Sequence, residues 1–176
     1  QLLRYSNSQK IAISGSLLRE EESYRLVEKG ALFNGMVQAM HHMKDMRNVN
    51  DLINSEIDFA TPNYGAWWFF CFKLKDLNYY PFPFFVRGDD SRFSIVNKFR
   101  IITMNGIGVW GEDFSKKTSP MNSYLDMRYH LFHQIDLCNK NRFFLIKYIL
   151  KYTLIQLASY NYSSAEAALE GAKDFA

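Results

Sequence analysis

The sequence predicts a mixed α/β domain followed by a helical extension. Two observations carry this. Up to about residue 120, short apolar runs alternate with turn residues, as in Thr61-Pro62-Asn63-Tyr64-Gly65 and Asn105-Gly106. Beyond that point the punctuation changes to long helix-compatible stretches. The expected division is 1–120 for the α/β part and 121–176 for the helices.

In chain order, residues 10–18 read as a strand ending near Ser14-Gly15-Ser16. Residues 19–29 read as a short helix stopped by Gly30, and 35–50 as a helix or a loop over the core. The run Ala66-Trp67-Trp68-Phe69-Phe70-Cys71-Phe72 reads as a buried strand. Tyr79-Tyr80-Pro81-Phe82-Pro83 is a stiff connector, and Phe84 to Val86 a short strand. Residues 89–99 fit a helix with Asp89 or Asp90 near its N-terminus. Strands are expected over 100–104 and 107–110. Residues 111–120 form a charged loop, followed by helices over 121–137 and 142–160. A last helix is expected at Ser163-Ser164-Ala165-Glu166, whose Ser-x-x-Glu spacing is that of a capping box.

Composition narrows the class. The 176 residues suffice for one domain with a real core. Aromatics make up 16%, favouring a large core, an aromatic-lined groove, or both. A net charge of +3 makes no case for nucleic acid, and none is expected as a partner. Cys71 and Cys138 make no disulfide framework and read as buried thiols in a reducing compartment. No apolar run reaches the roughly 18 residues that cross a bilayer, so a cytoplasmic location is expected. The chain opens at Gln1 without an initiator Met and soon enters an apolar segment, so it is expected to be a piece of a longer polypeptide.

The most informative stretch is Arg87-Gly88-Asp89-Asp90. Adjacent acids repel, so one tends to a raised pKa, which suits a general base at a strand end. An ordinary turn and helix N-cap would use the same residues. Four further segments accompany it: Tyr64-Gly65-Ala66-Trp67-Trp68, then Asn105-Gly106-Ile107-Gly108-Val109-Trp110-Gly111-Glu112, then residues 114–120, then Ser123-Tyr124-Leu125-Asp126-Met127-Arg128. In order and spacing the five resemble the family 2 inverting glycosyltransferases, in particular the galactofuranosyl- and rhamnosyltransferases of surface polysaccharides.

That resemblance implies a partial GT-A-like sheet whose Rossmann-like donor-nucleotide half is missing from this chain. It implies hexosyl transfer from a UDP- or dTDP-sugar to a glycan or lipid-linked acceptor, with Asp90 as base and Asp89 supporting it. Trp67 or Trp68 would be the sugar platform, although strand alternation lets only one face the groove. Arg128 would face the diphosphate or brace Asp90, with a solvated helix arginine as the plain alternative. The family also implies a divalent cation, Mn²⁺ or Mg²⁺. Its His ligand position is Gly111 here and its Asp-x-Asp is absent, the nearest approach being Glu56-Ile57-Asp58. Glu112 and Asp113 are the remaining candidates for a hard cation, and this piece alone is expected to bind none and to be inactive. A non-catalytic glycan-binding or scaffolding remnant is the alternative.

His130 and His133 share a helix face at a metal-compatible spacing, or pack as polar ends near the helix surface. Lys140, Arg142, Lys147 and Lys151 among apolar neighbours suit peripheral contact with the inner face of a membrane, or a core helix with snorkelling lysines.

Overall fold

The structure is a computed structural model that describes residues 2–5, 10–57, 59–84, 86–112 and 119–176. It is mixed α/β, with small mixed sheets and helices, and it divides into two compact units. The first comprises residues 1–82 and 90–113, the second 83–89 and 114–176. Preceding the first sheet is a single helical turn, α1 (Leu2–Tyr5).

The first unit is organised by one bent strand. β1 (Ile11–Ser14) pairs antiparallel with β6 (Phe70–Phe72) and parallel with β7 (Arg100–Ile102). After Gly15 the chain continues as β2 (Ser16–Arg19) and changes partners, to antiparallel β3 (Leu26–Glu28) and parallel β8 (Gly108–Gly111). The predicted strand therefore does not stop at Gly15 but crosses between sheets there. A Cβ on Gly15 would lie 2.8 Å from Phe69 Cβ, so the crossing needs glycine. A hairpin of β4 (Ala31–Phe33) and β5 (Val37–Ala39) follows, with the short helix α2 (Val49–Asn54) after it.

Ala12, Phe93, Phe99 and Ile101 form the core of this unit, with Phe70, Phe72 and Leu77 packed on it. Ring centroids of Phe72 and Phe93 lie 5.3 Å apart and those of Phe72 and Phe99 5.4 Å, the range of favourable aromatic contacts. Four of the chain's 15 phenylalanines meet here. Helix α3 (Asp89–Asn97) starts where the sequence places it, and Phe93 and Asn97 face inward.

A fully buried lysine closes the other end of the unit. Lys29 Nζ donates to the Ser55 carbonyl at 2.7 Å and to Asn105 Oδ1 at 3.0 Å, and pairs with Glu56 at 3.1 Å. The Glu56 carboxylate in turn accepts from the Asn105 N–H. Three chain segments are thus joined at one ammonium group. Glu56 has a structural role here, and Asp58 lies outside the described residues.

Several sequence expectations change. Residues 19–29 are a turn and β3, not a helix, because Leu26 and Glu28 pair with β2 and bury on its inward side. Within 35–50, expected as a helix or a loop, the chain forms β5, turns and the start of α2. Trp67 and Trp68 occupy a turn, and only Phe70–Phe72 is strand, partly exposed. Cys71 is exposed and Cys138 half-buried, so neither is a core thiol.

The second unit holds α4 (Pro120–Asp136), α5 (Arg142–Ala158) and α6 (Tyr162–Phe175). Ser119 caps α4 by accepting from the Asn122 N–H, with Pro120 at the first helical position. Asn141 caps α5 through the Phe144 N–H. α6 begins at Tyr162, so Ser163 lies inside the helix and the expected capping box does not form its end. Met127, Leu131, Ala168 and Ala172 make the core, and Leu145, Tyr148, Ile149 and Tyr152 of α5 pack on it. Phe84 and Val86 form no strand; Phe84 packs edge-on to Phe132 and His133 instead. Among the described residues, no helix is long and apolar enough to cross a membrane.

Candidate active site

Three segments of the first unit converge on Asp90. β3 ends at Glu28, whose side chain shares the inward face of Leu26. Tyr64 is pinned by a two-way backbone bridge to Ala31 at the start of β4. Asp90 lies in the first turn of α3. One turn further along, Ser94 Oγ accepts from the Gly65 N–H at 3.3 Å, locking the Tyr64 loop to the helix.

Tyr64 is nearly buried, and its hydroxyl donates to Asp90 Oδ2 at 3.0 Å. The Ser91 N–H donates to Asp90 Oδ1 at 2.7 Å. Glu28 is only 6% exposed, and its Oε1 has no hydrogen-bond partner among the described residues. Burial, reinforced by the charge of Asp90, pushes the Glu28 carboxyl up to about 8. Glu28 is therefore protonated at neutral pH.

The sequence pointed to Asp89 and Asp90 as the acid pair. A carboxyl raised by burial and by the charge of Asp90 is Glu28, 62 positions upstream. Its signal was the alternation Leu26-Val27-Glu28, which a helical reading of 19–29 concealed. Asp89 is half-buried as the first residue of α3. What precedes the pair is a left-handed turn at Arg87 (φ 66°) and Gly88 (φ 83°), not a strand tip.

The tryptophans separate in role. Trp68 Nε1 donates to the Gly15 carbonyl at 3.0 Å and secures the bend between sheets. Trp67 is 38% exposed, meets Phe93 of α3 edge-on at 5.4 Å, and lines an apolar cavity of about 470 Å³ with Phe70, Phe72, Leu77 and Tyr80. Trp110 of β8 is also exposed, held by Nε1 donating to the Ser23 carbonyl at 2.9 Å.

Other sequence candidates lie elsewhere. Arg128 is exposed and bonds the Tyr124 hydroxyl at 3.2 Å, with its guanidinium over the same ring. The carboxylate of its motif, Asp126, belongs to Arg87, whose Nη1 reaches both oxygens at 2.8 and 2.7 Å. Burial raises the Asp126 carboxyl against the opposing pull of Arg87. Glu112 is exposed, and Asp113 and residues 114–118 lie outside the described residues. His130 and His133 are not surface ends. His133 is fully buried against Phe84 and Tyr129, while His130 hydrogen-bonds Tyr129 and is pushed down to about 4 by burial and by His133.

Among the described residues, no three His, Cys, Asp or Glu side chains group as a metal site. Gly111 carries no ligand, and a Cβ there would lie 3.1 Å from Leu17 Cδ1. No protein-family model matches the chain, and no curated sequence matches it.

Proposed function

We propose that this chain is the acceptor-side part of an inverting hexosyltransferase with Asp90 as its general base. The supporting observation is the Tyr64–Asp90 hydrogen bond together with Glu28, whose carboxyl burial and the charge of Asp90 hold neutral. Environments that drive two acids apart are how a site assigns a base and a proton donor. In the transfer, an acceptor hydroxyl gives its proton to Asp90 while its oxygen attacks the anomeric carbon of a UDP- or dTDP-hexose. The bond from that carbon to the diphosphate oxygen breaks, and its electron pair leaves with the diphosphate. A positioned base adds about 10² to 10⁴ in rate. Glu28 keeps a proton for hydrogen bonding, and Tyr64 fixes the Asp90 carboxylate. Trp67 offers an indole face to a sugar ring. The acceptor is a glycan, free or lipid-linked, and no step is routed through a metal.

A second reading, glycan binding without transfer, is favoured by two observations. Both Asp90 oxygens already accept hydrogen bonds, and the position of the family's histidine is a glycine crowded by Leu17. Transfer assays on the complete gene product separate the two. Asp90→Asn is expected to abolish transfer of hexose from UDP- and dTDP-sugars while acceptor binding persists. Unchanged turnover in that variant excludes Asp90 as the base. Glycan binding by the wild type, with no transfer from any donor, selects the second reading.

A further inference from the structure

Helix α5 is apolar on two opposite sides. Leu145, Tyr148, Ile149 and Tyr152 turn toward the α4–α6 core. Phe143, Ile146, Leu150 and Leu154 follow one another at intervals of three, four and four residues, so they form a stripe along the helix. That stripe is exposed, from 45% at Ile146 to 82% at Phe143. With Lys147 and Lys151 it lines an open groove of about 560 Å³. A helix apolar all round is normally covered on all sides, and a contiguous exposed patch of this kind marks a docking surface.

Charge selects the occupant. Lys140, Arg142, Lys147 and Lys151 lie on or beside the stripe, and residues 137–165 contain neither Asp nor Glu. A second copy in a two-fold interface would set lysines against lysines. We propose that α5 docks in the plane of an anionic lipid bilayer, with its outer stripe among the acyl chains. The four stripe residues span about 16 Å of helix, far short of the ~30 Å hydrocarbon core, which suits lying on the surface rather than crossing it. Lys147 and Lys151 share one flank, from which their stems run along the apolar surface to lipid phosphates. The neighbouring groove toward α6 carries Glu166, Glu170 and a single Lys173 beside Leu157 and Leu169. Those acids set the edge that tips away from the bilayer, so the lysine edge enters first. The proposal is independent of any glycosyl transfer.

The test is flotation of the chain with vesicles of phosphatidylcholine, alone or mixed with phosphatidylglycerol. Expected is partitioning onto the anionic vesicles only, weakened by salt. Lys147→Gln with Lys151→Gln lowers it about fivefold per charge removed. Leu150→Ser also lowers it, whereas Lys75→Gln in the first unit changes nothing. Circular dichroism confirms that each variant remains folded. Absence of binding to anionic vesicles at low salt overturns the proposal. So does wild-type partitioning by the lysine double variant, or a dimer in sedimentation velocity that Leu150→Ser dissolves.

Discussion

The Tyr64 hydroxyl donates a 3.0 Å hydrogen bond to Asp90, joining a loop clamped to β4 with the first turn of α3. It holds the charge of Asp90 in place, and that charge adds to burial in keeping Glu28 protonated. The stability of the first unit is tied to pH by this arrangement.

Glu28 titrates at about 8 in the folded chain against an ordinary value of 4.5. Between these values the unfolded chain is ionised at this position while the folded one is not. The contribution of neutral Glu28 is therefore whole below pH 4.5 and lost as pH rises toward 8. Glu28→Gln is expected to stabilise the chain at pH 8 by roughly 3–5 kcal/mol relative to wild type, with little effect at pH 4. Urea midpoints across that range check this. An equal effect at both ends would mean that Glu28 is not the titrating group.

Lys29 provides the second prediction. Its ammonium satisfies the Ser55 carbonyl and joins Asn105 and Glu56 without contact with water. Lys29→Met keeps the stem volume and removes the donors. The expected loss is about 2–4 kcal/mol, read as a lower urea midpoint at constant slope. Lys29→Arg is not expected to restore it, because the planar guanidinium does not match a pocket built around a point charge.

Arg87 provides the third. Its guanidinium meets both oxygens of Asp126, and its backbone sits in the left-handed region, followed by Gly88. A Cβ on Gly88 would come within 2.8 Å of Tyr129 and 3.0 Å of His133, so the turn is tight against α4. Arg87→Gln is expected to cost about 1–3 kcal/mol and to move the Asp126 titration further upward, since burial then acts unopposed. Carboxyl chemical shifts followed through a pH titration measure the Asp126 shift, and urea midpoints measure the cost.

Local signals in the chain were sufficient for α3, α4 and α5, for the Asn105-Gly106 turn, and for the change from mixed to helical structure past residue 120. Each rests on neighbours in sequence: an acid at a helix start, a turn dipeptide between apolar runs, long helix-compatible stretches after the last charged loop. Asp90 was legible for the same reason, as an acid beside another acid at a helix start.

Tertiary structure decided the rest. Residues 19–29 carry helix-compatible charges, yet pairing with β2 makes their end a strand and turns Glu28 inward. Trp68 became a clasp for Gly15 and Arg128 a surface partner of Tyr124, because hydrogen-bond partners dozens of residues away or on the next helical turn claim them. The partner of Asp90 could not be read along the chain, since a pKa depends on which groups folding brings within a few ångströms and how much water it removes. Sequence proximity determined where the acid lies, and only the packing of β3, Tyr64 and α3 determined that its counterpart is Glu28.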